Sequence, residues 1–420
     1  MSQITKILLR VVIHRITNKL RDEIAVEQYG FVAGKGTSNA IFVVRNLMER
    51  AIEKQKDVYM CFIDYEKAFD RVRHVDLMRM LEEIGVDDKD RRVICNLYWD
   101  QEATVKIGEY QTEYQRIRRG VRQGCVMSPH LFNLYSEIIL RSLQGREGIS
   151  VGGVNINNVR YADDTVLVAD SAEKLQDLLS VVVQASEGKG LAVNLEKTKV
   201  MVASKQAETP RLRIQISGVT LEQVGQFKYL GSILSEDCRC RGEIRSRIGI
   251  AKTAFKQMRS FLTNRSISIG VRKRAIKTYI WSTLLYGAET WTISKEMVKR
   301  IEAMEMWIWR RMMRISWVER QTNEEVLRRV EEERSLMMVI RRRQMKFLGH
   351  IMRRGELERV VLTGYVEGRR ARGRQRETFM NGIARALGGQ MSATRILHMT
   401  EDRTRWRSMV AEVQEDMARR

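Results

Sequence analysis

Asn158-Val159-Arg160-Tyr161-Ala162-Asp163-Asp164-Thr165-Val166-Leu167-Val168-Ala169 places two adjacent aspartates between two runs rich in β-branched and aromatic residues. Such runs favour strands, so the stretch predicts a hairpin with both carboxylates at its tip. A polar turn accounts for a single aspartate, which tolerates tight turns. Two together repel unless something cationic lies between them, and a divalent metal held on a rigid hairpin tip meets that need.

Upstream, the short apolar run Val58-Tyr59-Met60-Cys61-Phe62-Ile63 reads as a buried strand ending in Asp64. A carboxylate there needs a partner, because desolvated charge is costly. After Lys67-Ala68-Phe69-Asp70 the pattern predicts a helix running to Gly85, with Asp70 as its N-cap and Val75, Met78, Leu81 and Ile84 on its apolar side. Gly120 to Pro129 reads as a loop delivering a helix, with Ser128 as cap, Pro129 in the first turn, and Leu131, Leu134, Tyr135, Ile138 and Ile139 facing inward. Beyond the hairpin a helix over about 172–187 is closed by Gly188 and Gly190, and the segment from Leu191-Ala192-Val193-Asn194 to Val200-Met201-Val202 alternates like a strand. Three carboxylates from two strands, followed by a basic polypeptide, suit two-metal phosphoryl transfer.

Met1 to Arg21 is basic, with Ile4, Ile7, Leu8, Val11 and Val12 at helical spacing; it leads without a break into patterned sequence, so a docked helix is expected rather than a transit peptide. A turn-like stretch, Gly30 to Gly36, precedes a second helix that starts near Thr37-Ser38 and buries Ala40, Ile41, Val44, Leu47, Met48, Ala51 and Ile52. Gly30 to Lys35 is one residue short of a nucleotide-binding phosphate loop, and Gly36 stands where that loop needs serine or threonine, which argues against an ATPase. Its backbone amides and Lys35 still suit contact with a phosphate.

The chain has 420 residues, 44% of them hydrophobic, enough for two to four ordinary domains. Five cysteines without a second pair at zinc-ligand spacing argue against a disulfide framework or structural zinc, and fit a nuclear or cytoplasmic rather than secreted protein. The formal charge of +22 is unevenly spread: residues 241–420 carry +20 and residues 1–240 only +2. Seven of the 40 basic residues in that second part are lysine, and arginine suits bidentate phosphate contact, so nucleic acid is the expected partner. No apolar run approaches membrane-spanning length. Trp281, Trp291, Trp307, Trp309 and Trp317 lie among helical segments, where core packing is the commoner use and base stacking the alternative. The arginine-rich tract Gly368 to Arg376 is expected to be disordered when free.

Cys61 to Asp70, Gly120-Val121-Arg122-Gln123-Gly124-Cys125 through Ser128-Pro129, and Tyr161-Ala162-Asp163-Asp164 closely resemble motifs A, B and C of reverse transcriptases, especially those of non-LTR, LINE-type retrotransposons. Gly30-Phe31 through Gly34-Lys35-Gly36-Thr37 resembles the family's fingers block, Asn194 to Lys199 its motif D, and Phe227-Lys228-Tyr229-Leu230-Gly231 its primer grip, all in family order. Tyr286 to Trp291, Gly349-His350 and the Gly368 to Arg376 stretch resemble the C-terminal region of such elements. Val32 departs from the arginine that many relatives carry after the phenylalanine of the fingers block.

The resemblance implies an α+β right-hand polymerase, with fingers over 1–56, a palm over 57–235 interrupted by a fingers insertion at about 71–125, a helical thumb over 236–320 and a basic nucleic-acid-binding region over 321–420. It implies RNA-directed DNA synthesis, with an RNA template, a DNA primer, deoxynucleoside triphosphates and two magnesium (or manganese) ions as partners, and without the endonuclease found upstream in complete elements. It further implies that Asp64, Asp163 and Asp164 hold the metals and that Lys197 protonates the departing pyrophosphate, with Lys199 equally available. Lys35, Tyr65, Phe69, Gln123 and Gly124 would meet the nucleotide, Phe69 rejecting a 2′-hydroxyl by bulk, and Tyr229, Leu230 and Gly231 would hold the primer. The competing reading is a non-catalytic RNA-binding remnant. A group II intron maturase is weaker, since nothing resembles the zinc-binding tail many of those carry.

Overall fold

The computed structural model describes residues 3–99, 101–206, 209–370 and 375–419. They form two compact units, Met1–Ala40 with Lys56–Gly225 and Ile41–Gln55 with Gln226–Arg420.

The first unit is built on a five-stranded sheet. Its strands are β1 (Val58–Ile63), β2 (Asn158–Tyr161), β3 (Asp164–Ala169), β4 (Lys199–Ala203) and β5 (Glu222–Gln223), in the spatial order β5-β4-β1-β3-β2. All neighbours are antiparallel except β4 and β5. Cys61, Leu167, Val200 and Val202 pack on the inner sides of the Ser128–Leu140 and Ala172–Gly188 helices, in one core with Leu131, Phe132, Leu178 and Val182. Met60, Phe62, Val166, Val168 and Met201, pointing to the opposite face, are buried as well. Burial on both faces is why these strands are continuous apolar runs rather than alternating ones.

Register places the acidic residues. β1 pairs with β3 through Phe62↔Val166 and Ile63↔Thr165, and β2 pairs with β3 through Tyr161↔Asp164. One further step along the β1–β3 register sets Asp64 opposite Asp164, so the end of one strand and the tip of the hairpin meet at the same edge of the sheet.

Several local expectations need correction. The first helix, Gln3–Glu23, buries Leu9, Val12, Ile16 and Leu20 and leaves Ile4, Ile7, Leu8 and Val11 exposed. Two apolar stripes share Val12, and the one that faces the core follows the later turns. The expected 70–85 helix is split into Ala68–Arg71 and His74–Glu83, because Val121 N donates to Phe69 O at 2.8 Å and Gly120 N to Val72 O at 2.7 Å, holding Val72 in a non-helical conformation. Asp70 therefore lies inside the short helix and caps nothing, and Val75 is exposed while Leu77, Met80 and Leu81 are buried. Ser128 does not cap its helix either: its hydroxyl donates to Arg122 O at 2.6 Å, although Pro129 occupies the first turn. Leu191 to Asn194 is no strand; it wraps the main chain of the 64–66 segment, with Asn194 N donating to Asp64 O (2.8 Å) and Glu66 N to Ala192 O (2.9 Å).

The second unit is helical apart from the hairpin Gln226–Tyr229/Ser232–Ser235. Residues 41–55 join it through Arg45, whose guanidinium donates to Ser232 Oγ (2.9 Å) and Ile233 O (3.0 Å). One core gathers Ile244, Phe255, Ile280, Trp291, Trp309 and Leu336, and a second gathers Phe42, Leu348, Phe379, Ile383 and Trp406. Trp281, Trp291 and Trp309 are thus core residues, whereas Trp307 is half-buried. Within the Gly368 to Arg376 tract, residues 371–374 lie outside the described residues, so the expectation of disorder is not addressed there.

Candidate active site

The Asp163-Asp164 hairpin turns over two residues, with Ala162 in the left-handed region at φ 55°. A non-glycine residue held there needs support, and Gln28 and Gly30 supply it. Gln28 is fully buried and bridges in parallel to Arg160; its Oε1 accepts from Ala162 N (3.0 Å) and from Gly30 N (2.8 Å). Gly30 is a glycine for space, since a Cβ there would stand 2.4 Å from Ala162 N and 2.9 Å from Tyr161 C. Asn133 Nδ2 donates to Gly30 O at 2.7 Å, which ties the same segment to the Ser128–Leu140 helix. Gly30→Ala is accordingly expected to destabilise the first unit by about 1–3 kcal/mol, the scale of overpacking against a fixed backbone. Urea unfolding measures it, and wild-type stability would show that the turn does not rest on residue 30.

Beneath the turn lies a buried ion pair. Arg160 Nη1 donates to Glu137 Oε2 at 3.0 Å, the two side chains being 2% and 4% exposed, and Ala25 N donates to the same Oε2 at 3.2 Å. Neither partner nor Gln28 stands out in the sequence. The available signal was polar residues set inside otherwise apolar segments, which in a core must be paired.

At the sheet edge the three aspartates lie in one another's field. Burial, then the charges of Asp163 and Asp64, push the Asp164 carboxyl up to about 6. The Asp163 carboxyl is also raised, by burial first and by Asp64. Lys197 Nζ, 3.7 Å from Asp64 Oδ1, is the cation set against them. The other candidate, Lys199, is occupied elsewhere, 2.6 Å from Glu222 Oε2. Among the described residues no three acidic, histidine or cysteine side chains converge into a complete metal cage. The donor set nonetheless fits a hard divalent cation: oxygen ligands on a rigid edge whose charge raises their own proton affinity.

The residues expected to meet a nucleotide are distributed unevenly. Phe69 is partly buried and stacks on Phe132, with ring centroids 4.3 Å apart and planes 15° from parallel. Gln123 Nε2 reaches Asp70 Oδ1 at 3.4 Å, and Gly124 has φ 75° with open space where a Cβ would be. The Tyr65 side chain turns into the core, its hydroxyl 3.0 Å from Ser186 Oγ, which leaves only its main chain to meet a ligand. Lys35 is tied back, donating to Val26 O at 2.7 Å and lying over the Tyr29 ring. Sequence reading missed a cavity of about 790 Å³ lined by Lys67, Arg71, Arg73, Arg116, Arg118 and Arg119 with Asp70 as its one carboxylate among the described residues.

In the second unit, Leu230 and Gly231 form the turn of the Gln226–Ser235 hairpin, both at positive φ (47° and 75°). Tyr286 Oη donates to Leu230 O at 2.8 Å, Arg247 lies over the Tyr286 ring and donates to Gly231 O, and Glu243 pairs with Arg247 at 2.8 Å. A cavity of about 1240 Å³ also belongs to this unit; Lys256, Arg259, Lys299, Arg311 and Arg314 line it beside Trp307.

A family model described as "Reverse transcriptase (RNA-dependent DNA polymerase)" matches residues 1–234. Over 237 residues the chain is 31% identical to a Pol polyprotein of the type-1 retrotransposable element R2 of Popillia japonica, covering 53% of this chain and 33% of that protein. It is 23% identical over 323 residues to the RNA-directed DNA polymerase from the mobile element jockey of Drosophila funebris, covering 74% of this chain and 35% of that protein. The chain therefore spans about a third of the length of these relatives. Among solved structures, apo telomerase from Candida tropicalis is similar at 14% identity and a TM-score of 0.42, covering 85% of this chain and 62% of that one.

Proposed function

Because the chain belongs to the reverse transcriptase family, we propose that it is an RNA-directed DNA polymerase that extends a primer 3′-hydroxyl on an RNA template. The observation that carries this reading is the register that sets Asp64 beside Asp163-Asp164 at the edge of the sheet. In this reading the sheet is the palm of a right-hand polymerase, and the three aspartates would hold two magnesium ions. Bound there, the metal would supply the charge that acidifies the primer hydroxyl and neutralises the departing pyrophosphate.

The chain's own groups do the rest. Gln28 and Gly30 fix the turn, so that Asp163 and Asp164 are preorganised rather than gathered at each turnover. Lys197 stands beside Asp64 and is placed to give a proton to pyrophosphate; Lys199 is held by Glu222. The cationic cavity around Lys67 and Arg119 offers the triphosphate or template a positive wall. Phe69, propped against Phe132, is the bulk that excludes a 2′-hydroxyl. Tyr229 to Gly231, braced by Tyr286 and Arg247, would hold the primer strand. Extension of a DNA primer annealed to an RNA template, with magnesium and deoxynucleotides, tests the proposal.

The sugar gate has its own test. Phe69→Val is expected to shift the ratio of kcat/KM for ribonucleotides over deoxyribonucleotides upward by about tenfold or more, since discrimination by bulk is lost with the bulk. An unaltered ratio would make Phe69 simply the stacking partner of Phe132.

A further inference from the structure

We propose that the groove between the Leu336–Arg354 and Arg403–Arg419 helices is a distinct RNA-binding site, which grips the phosphate backbone of unpaired RNA irrespective of its sequence. The inference rests on the RNA-directed reading above for the identity of its polyanion. Arg342, Lys346 and Arg353 from one helix face Arg403 and Arg407 from the other around a cavity of about 460 Å³, with Trp406 between them. All five cations are exposed, and no carboxylate is among the described residues lining the cavity. A merely solvated surface has no reason to point like charges at one another, because such pairs destabilise the fold. Here packing enforces the convergence. Gly349 lets the helices close, since a Cβ there would meet Trp406 Nε1 at 2.4 Å, and Arg353 is anchored by donating to Thr400 O at 2.9 Å.

The chemistry selects the ligand. Four of the five cations are arginine, whose planar fork matches phosphate oxygens. Arg342 to Arg353 spans eleven residues of helix, about 16 Å, long enough to run beside several successive phosphates. Trp406 takes no part in reading bases: it is 2% exposed, and its Nε1 already donates to Met345 O at 2.9 Å. With no free aromatic face among the described residues that line the groove, binding follows charge and not sequence.

The test uses the full chain. A variant carrying R342Q, K346Q, R403Q and R407Q is compared with one carrying R10Q, R21Q, K89Q and R92Q, which loses the same charge from exposed positions elsewhere. Poly(U) and poly(A) binding are titrated over a range of salt. The groove variant is expected to weaken both by roughly tenfold near 0.15 M salt and to flatten the log–log salt slope by about 2–3, at about 0.7 per phosphate contact; the control keeps the wild-type slope. Extension of a pre-annealed primer–template at saturation is expected to be unchanged in both variants. Equal behaviour of the two variants, an unaltered slope, or a loss confined to one homopolymer overturns the proposal. A wild-type protein that binds RNA through this groove but extends no primer would overturn the polymerase reading alone.

Discussion

Asp163→Asn is expected to lower primer extension by about a thousandfold or more while RNA affinity stays near wild type. On the proposed reading the substitution removes charge from the site of phosphoryl transfer, and the arginines proposed to contact phosphate are other residues. The same carboxylates predict a pH dependence. Asp164 has its carboxyl pushed up to about 6 from an ordinary 3.8, so the metal-free fold prefers it protonated. The favourable contribution is fully present below about pH 4 and is lost as pH rises through 6. Metal-free protein should therefore gain stability from this group on acidification over that window, the reverse of a salt-bridged carboxylate, and metal should bind more weakly below pH 6 because protons compete for the oxygens. Asp164→Asn, which mimics the neutral form, should stabilise the metal-free chain slightly; the residue as a whole is exposed although its carboxyl is partly desolvated, and solvent screening keeps the effect small. Thermal unfolding of wild type and Asp164→Asn with and without metal across pH 4–8 reads all of this; a metal-free wild type whose stability relative to Asp164→Asn rose as pH increased from 4 to 6 would contradict the assignment of the raised carboxyl.

Glu137→Leu is expected to destabilise the first unit by about 3–5 kcal/mol, the cost of leaving a buried cation unpaired. Arg160 would keep only Glu27, 4.0 Å away, and Ala25 N would lose its acceptor. Since Arg160 immediately precedes Tyr161, the hairpin turn should loosen and activity fall with stability. The double variant Arg160→Leu with Glu137→Leu should recover a large part of the loss, because an apolar pair of similar volume leaves no orphaned charge. Urea unfolding of the three proteins measures this. A single variant within 0.5 kcal/mol of wild type would show that the pair is not what supports the turn.

What could be read from the sequence was local. Val58 to Ile63 and Asn158 to Ala169 announce strands by composition alone, and each strand's end or turn carries its aspartate in view. The meeting of Asp64 with Asp164 depends on pairing across a hundred residues, which no local pattern encodes; three carboxylates at strand ends suggest it and the family resemblance specifies it. Failures follow the same division. Asp70 and Ser128 have the composition of caps, but tertiary contacts from Gly120, Val121 and Arg122 decided their neighbourhoods. The Gln28 clamp joins residues 134 apart in sequence and was invisible. Lys197 and Lys199 are equivalent in the sequence, and only the contact of Lys199 with Glu222 distinguishes them. The stripe of Ile4, Ile7, Leu8 and Val11 was periodic but faces outward, because periodicity identifies a face without saying what covers it.

RNA-directed DNA synthesis by this chain is tested by a single primer-extension experiment: wild-type and Asp163→Asn chains, a DNA primer annealed to an RNA template, magnesium and the four deoxynucleotides. The wild type should yield a ladder of extended primer, abolished by chelation and by the substitution, with equal RNA binding by both proteins. Wild-type protein that binds the template and leaves the primer unextended, or extension that survives the loss of Asp163, would contradict it.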